Sequence, residues 1–208
     1  KDVKRVCVGL WDFDGDAELS YEEAANVDTI GNVFSQNTDI EYFNEFKYFT
    51  NVPSIDADAF KGCENLKTLG IPSSITSIDA SAFVGCSSLY QVKFEKDSKL
   101  TILEGKFSES SDSYSGVFAN CTSLKYVNIP SSVTEIKAGA FQNCKNLVEV
   151  KFEDSSSLRT IGGGHNMYTK TSAGSTSYYI ARYGALAFCT SLREIEIPSS
   201  VETIEECA

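Results

Sequence analysis

The chain of 208 residues has one histidine, one methionine, one tryptophan and four prolines, and its 18 basic residues are outnumbered by 29 acidic ones. Each shortage removes a class of function. His165 stands alone in a glycine-rich loop, so neither a Ser-His-Asp relay nor a histidine-bearing metal site has partners that the sequence identifies. A net charge of −11 disfavours nucleic acid and anionic membrane surfaces as partners. No stretch of 18 apolar residues occurs, so nothing reads as a membrane-spanning segment. Gly162-Gly163-Gly164 is not followed by the Lys-Ser or Lys-Thr of a phosphate-binding loop. No carboxylate pair is marked out as acid and base at a cleft. The chain reads as a non-enzyme. It begins at Lys1 without a signal peptide, as expected of a mature or trimmed segment.

Cysteine is present in an odd number, seven, which argues against a complete set of disulfides. Five of the seven sit in one repeated frame, A-F-x-x-C-x-x-L or close to it. It runs Ala59-Phe60-Lys61-Gly62-Cys63-Glu64-Asn65-Leu66, then returns around Cys86, Cys121, Cys144 and Cys189, the last with Leu186 in the aromatic slot. These cysteines read as small apolar residues filling one interior slot turn after turn. A fixed period implies units that cannot bury their apolar faces alone and must stack, giving an elongated solenoid with a continuous core.

After each leucine comes a short alternating run, for example Leu66-x-x-Leu69-x-Ile71 and Leu192-x-x-Ile195-x-Ile197, whose last positions have the period of a strand. Pro72, Pro130 and Pro198 mark where three of these strands stop donating hydrogen bonds. A second apolar pair closes each turn, such as Ile75 with Ile78 or Val133 with Ile136. Slot to slot, Ile55 to Ile78 is 23 residues, Ile78 to Ile102 is 24 and Ile136 to Ile161 is 25. From roughly Val52 onward this pattern resembles the BspA-like class of bacterial leucine-rich repeats. The resemblance implies an exported surface protein that binds other proteins.

The second motif is Asp12-Phe13-Asp14-Gly15-Asp16-Ala17-Glu18-Leu19-Ser20-Tyr21-Glu22-Glu23. It resembles an EF-hand or dockerin-type calcium loop. The resemblance implies Ca2+ held by Asp12, Asp14, Asp16, the Glu18 carbonyl, Ser20 and a bidentate Glu23. Val3, Val6, Cys7 and Leu10 form an apolar stripe for an incoming helix, and Ser20-x-x-Glu23 is a capping box for the outgoing one. Ala17 stands where a glycine normally makes the sharp turn, and only one loop is present, which puts cohesin-type docking in doubt. The competing reading is an acidic capped turn with no ion. Carboxylates at about 4 Å repel by roughly 4 kcal/mol per pair at an effective dielectric near 20.

The expected fold is an α+β repeat: a leucine-rich-repeat solenoid with short strands and short helical turns, preceded by a single EF-hand-like helix-loop-helix. Residues 1–36 are the calcium-binding cap, 37–54 an atypical capping repeat, and 55–208 the repeats. The chain stops one residue short of a phenylalanine slot, as a piece of a longer array would. Insertions at about 103–117 and 162–184 interrupt the same point of the turn two units apart, so they should emerge from one face about 10 to 15 Å apart.

Those insertions mix serine and glycine with Tyr114, Tyr168, Tyr178, Tyr179, Tyr183 and Arg182, the composition of adaptable binding loops. Long surface loops are also tolerated at little thermodynamic cost. The strand side offers a second surface. Its outward ladders are Thr68, Gln91, Tyr126, Glu149, Glu194 and, beside it, Gly70, Lys93, Asn128, Lys151, Glu196. The functional expectation is a secreted or surface-displayed adhesion platform for an extracellular protein. A glycan-binding module and a passive spacer for other domains are the alternatives.

Overall fold

The computed structural model describes residues 2–108, 113–172 and 175–208. Two helices come first, α1 (Asp2–Trp11) and α2 (Tyr21–Asn26). The strands follow as β1 (Tyr42–Phe43), β2 (Ser54–Ile55), β3 (Thr68–Ile71), β4 (Ser77–Ile78), β5 (Gln91–Phe94) and β6 (Ile102–Leu103). Next are β7 (Gly105–Ser108), β8 (Ser113–Gly116), β9 (Tyr126–Ile129), β10 (Glu135–Ile136) and β11 (Glu149–Phe152). The last are β12 (Thr160–Ile161), β13 (His165–Ser172), β14 (Ser175–Arg182) and β15 (Thr203–Ile204). Because each coil repeats the same apolar slots, like slots lie over like, and the strands pair in parallel across coils. One sheet has the order β1-β3-β5-β9-β11 and the other β15-β12-β10-β6-β4-β2. This is the stacked-coil solenoid that the periodicity predicts.

The interior is built of ladders of like residues, and two of them run side by side. Phe34, Phe60, Phe83, Phe118 and Phe141 stack with centroids 5.1 to 5.5 Å apart and planes within 15° of parallel. Beside them run the cysteines, all free and buried in the frame. Filling space is only half of their role. Each thiol donates to a phenylalanine carbonyl one coil back: Cys63 to Phe34 at 2.9 Å, Cys86 to Phe60 at 3.1 Å, Cys121 to Phe83 at 3.3 Å, Cys144 to Phe118 at 3.2 Å, Cys189 to Phe141 at 3.2 Å. A small apolar residue with a weak donor gives each interior carbonyl a second bond, beside the one it accepts from the backbone N–H three residues on, such as Cys63 N–H to Phe60 O at 3.1 Å.

The segments opposite the long strands are chains of hydrogen-bonded turns, not the short helical turns expected. Gln36, Gly62, Gly85, Asn120, Asn143 and Phe188, each two residues past the aromatic slot, have φ between 58° and 77°. A left-handed residue at this point of every coil interrupts any helix. Glycine and asparagine suit it, and Phe188 does not.

The cap is itself a degenerate coil. Phe34 sits on Phe60, and Gln36 N–H donates to Lys61 O at 2.7 Å, as Gly62 N–H donates to Val84 O one coil on. The boundary expected between residues 36 and 37 falls inside this turn. Trp11 of α1 closes the end, with its ring 6.2 Å from Phe34 and 5.4 Å from Phe49. A 3-10 turn over Asn44–Tyr48 lies over β3, where Thr68 Oγ1 donates to Asn44 Oδ1 at 3.1 Å. Thr68 and Gly70, expected to point outward to solvent, are therefore covered.

Two registers differ from the sequence reading. Ile78 and Ile136 both pair with Leu103, not with Ile102. Adjacent apolar residues left the slot ambiguous, and a shift of one residue swaps faces. On the long-strand side, β3 with β5 and β9 with β11 pair at four positions each, whereas β5 meets β9 only at Gln91↔Tyr126. The expected fifth rung, Glu194–Ile197, forms no strand, and β1 from the cap makes the count of five instead. Proline explains the alternation. Glu95 and Glu153 N–H donate to Ile71 and Ile129 O at 3.0 Å each. In the same register Pro130 and Pro198 would have to donate to Phe94 and Phe152 O, and proline has no N–H.

Candidate functional site

The acidic loop between α1 and α2 folds on its own backbone. Asp12 Oδ1 accepts from Gly15 N–H at 2.7 Å and its Oδ2 from Ala17 N–H at 2.9 Å. Asp14 Oδ1 accepts from Asp16 N–H and Asp16 Oδ1 from Glu18 N–H. One carboxylate oxygen from each of Asp12, Asp14 and Asp16 lies within 4.8 Å of the others. Ala17, in the glycine position, has φ 66°. Ser20 and Glu23 complete the capping box. Glu23 Oε1 accepts from Phe13 N–H at 2.7 Å, and its Oε2 from Ser20 N–H and Oγ at 2.9 Å. The Glu18 carboxylate is turned to Lys4 Nζ at 2.7 Å, so only its carbonyl could serve an ion here.

The electrostatics follow. Backbone donation from Ser20 and Phe13 holds the Glu23 carboxyl below the usual carboxylate range. Asp14 accepts from Asp16 N–H, which lowers it. Partial desolvation and the charges of Asp16, Glu23 and Asp12 nevertheless leave its carboxyl raised overall. A cluster whose anionic form is opposed by its own neighbours is one that a cation relieves. The donors are all oxygens, of the type and spacing that hard divalent ions take.

The insertions are β-hairpins. β7 and β8 pair antiparallel from Gly105↔Gly116, and β13 and β14 pair from His165↔Arg182 to Ser172↔Ser175. The first follows β6 and the second follows β12, the two strands on either side of β10. They therefore leave one face two rungs apart, about 10 Å at the usual strand spacing. Their bases are tight: a Cβ on Gly105 would lie 1.9 Å from Ala138 O, and one on Gly184 1.8 Å from Cys207 O. The side chains of Tyr114, Tyr168, Tyr178, Tyr179 and Arg182 lie outside the described residues. The register sets Tyr168 against Tyr179 and Thr169 against Tyr178. Tyr183 is buried at the hairpin base, 7 % exposed. Tyr126 stands on the long-strand face at 52 % exposure. Two clefts open on that face where pairing fails, and Pro130 and Pro198 are the sequence signal for them.

Among the described residues no helix is long and apolar enough to cross a membrane. No curated protein matches the chain. Solved structures that resemble it include the following. One is a leucine-rich cell surface protein from Faecalibacterium prausnitzii, 29 % identical, covering 70 % of this chain and 30 % of that one, with a TM-score of 0.49. A leucine-rich repeat protein from Eubacterium ventriosum is 18 % identical over 74 % of this chain and 39 % of that one, TM-score 0.47. The pneumococcal vaccine antigen PcpA is 24 % identical over 52 % and 26 %, TM-score 0.42. This chain thus spans well under half the length of each. Six copies of the unit described as BspA type leucine rich repeat region match residues 28–115 and 112–208, so the chain belongs to that family.

Proposed function

We propose that this chain is a non-catalytic binding module of the bacterial surface or exterior, which holds a partner protein against hairpins raised from a rigid solenoid. The observation that carries the reading is the placement of the two hairpins on one face, on either side of β10. A repeat scaffold places coils at fixed spacing, so two loops inserted at the same point of the turn present a joint surface whose geometry the core sets. Export to the surface is what the family resemblance implies. The test is a pull-down comparing the intact chain with a form lacking residues 165–182, a deletion that spares the buried Tyr183. Loss of an otherwise specific protein partner supports the reading, and unchanged capture overturns it. Binding that survives on a glycan array alone would favour sugar over protein.

Calcium belongs to the same proposal. Asp12, Asp14 and Asp16 supply side-chain oxygens, Glu18 its carbonyl, Ser20 a contact and Glu23 its carboxylate, and the ion stiffens the cap that shields the first aromatic rung. Calorimetric titration with Ca2+ against Mg2+ tests it. Absence of heat and of any thermal shift with millimolar Ca2+ would sink this part alone.

A further inference from the structure

We propose that the long-strand face carries a docking slot for a basic, extended peptide segment of a partner, set between β11 and the unpaired run Glu194–Ile197. The inference rests on the binding-module reading but moves a contact from the hairpins to the sheet.

The slot is built into the repeat. The sequence frame sets Leu192 over Leu147, hence Glu194 over Glu149 and Glu196 over Lys151. Pairing there would lack the bond from residue 198, a proline, to Phe152 O, and would set two carboxylates face to face. Both effects act against closure, and a cleft of about 550 Å³ lies between the two walls. The β5/β9 junction, with Pro130 at the same point, has a cleft of about 390 Å³ but keeps its Gln91↔Tyr126 pair. No carboxylate pair opposes that position. The β9/β11 junction, where Glu153 N–H donates to Ile129 O, pairs along all four residues.

The walls state what fits. Val150 is buried, and Ile195 packs partly buried against the same core. Around them stand Glu149, Glu153, Glu194 and Glu196 against one ammonium, Lys151, already 3.3 Å from Glu149. β11 has no strand on this side and so offers the ladder that an added strand uses, with pockets for alternate side chains. A strand alternating lysine or arginine with an apolar residue meets both demands. The β5/β9 cleft is lined by Lys93, Lys96 and Lys151 with Glu95, Glu149 and Glu153, so its charge is balanced and it selects no sign. A second copy of this chain, net −11, is the wrong partner electrostatically.

The test is fluorescence anisotropy with three capped eight-residue peptides: alternating lysine and valine, alternating glutamate and valine, and the lysine form with alternate backbone N-methyl groups. The lysine peptide should bind, and about tenfold or more weaker binding is expected for its N-methylated form and for the Glu194→Lys/Glu196→Lys variant. Pro198→Ala restores the missing donor without touching charge and should weaken binding by closing the slot. Deleting residues 165–182 should leave peptide binding unchanged, which separates failure of this inference from failure of the hairpin reading. Equal binding of the glutamate or N-methylated peptide, or no effect of either variant with its melting temperature preserved, overturns the proposal. So does concentration-dependent self-association that Glu194→Lys/Glu196→Lys abolishes.

Discussion

The Sγ of Cys86 donates to the carbonyl oxygen of Phe60, 3.1 Å away and one coil behind it. Four more cysteines repeat that bond, so the thiol ladder fastens each coil to the last. Cys86→Ala or Cys121→Ala removes the donor and leaves a small void, while Phe60 O and Phe83 O keep the bonds they accept from Cys63 and Cys86 N–H. Each should cost about 1 kcal/mol or slightly more. Urea unfolding of the single variants is the measurement, and a loss under about 0.5 kcal/mol would mean the bonds contribute nothing net.

The same burial sets the chemistry of the thiols. Desolvation pushes Cys63 up to about 12 and Cys189 to about 11. Desolvation with the Glu45 charge pushes Cys7 to about 12. Cys207 is the one partly exposed thiol. With iodoacetamide at pH 8, the native protein should label at Cys207 and at the other six only after unfolding. The pH consequence has a definite sign. A thiol ionises near 8.5 when unfolded, and these three ionise higher when folded. Their stabilisation is thus fully present below that pH and is lost as pH climbs toward 11 to 12. Thermal scans should show falling stability across that alkaline range. A flat profile from pH 8.5 to 11 would contradict the burial argument.

Phe188 occupies the left-handed position with φ 62° and is 62 % exposed. Its counterparts are Gly62, Gly85, Asn120 and Asn143. Phe188→Asn should therefore stabilise the protein by about 0.5 to 1 kcal/mol, since a bulky residue there bears strain without burying its ring. An increase in the urea midpoint checks it. A decrease would show that the ring has a role at the surface.

The stacked coils were legible because their signal is redundant: phenylalanine, cysteine and leucine recur together, and misreading one slot leaves the period intact. What escaped was carried by single residues. Leu103 beside Ile102 hid the register, since nothing local says which of two neighbours faces in. Phe34 hid the cap's membership of the ladder because Asn37 stands where cysteine would be. Pro130 and Pro198 were read as strand ends, but the lost donor weakens the coil before them too. The hairpins and their tyrosines were found as insertions, while their strand pairing depends on register that serine-rich segments specify weakly.

For the acidic loop, Asp14 distinguishes an ion site from a capped turn. Its carboxyl is raised overall, so the metal-free loop is stabilised by protonation, and that stabilisation is lost as pH rises through the raised value. Glu23 is lowered and acts in the opposite sense, losing its contribution only at more acid pH. In EDTA, acidification from neutrality to just above the ordinary carboxylate range should therefore hold or raise the melting temperature. In millimolar Ca2+ the same acidification should lower it, because protons displace the ion. Asp14→Asn removes one anion from a crowded cluster and should raise stability in EDTA while cutting the calcium-induced shift at least in half. If the EDTA and Ca2+ curves coincide at every pH, for the parent and for Asp14→Asn alike, the loop is a capped turn and the cap works without an ion.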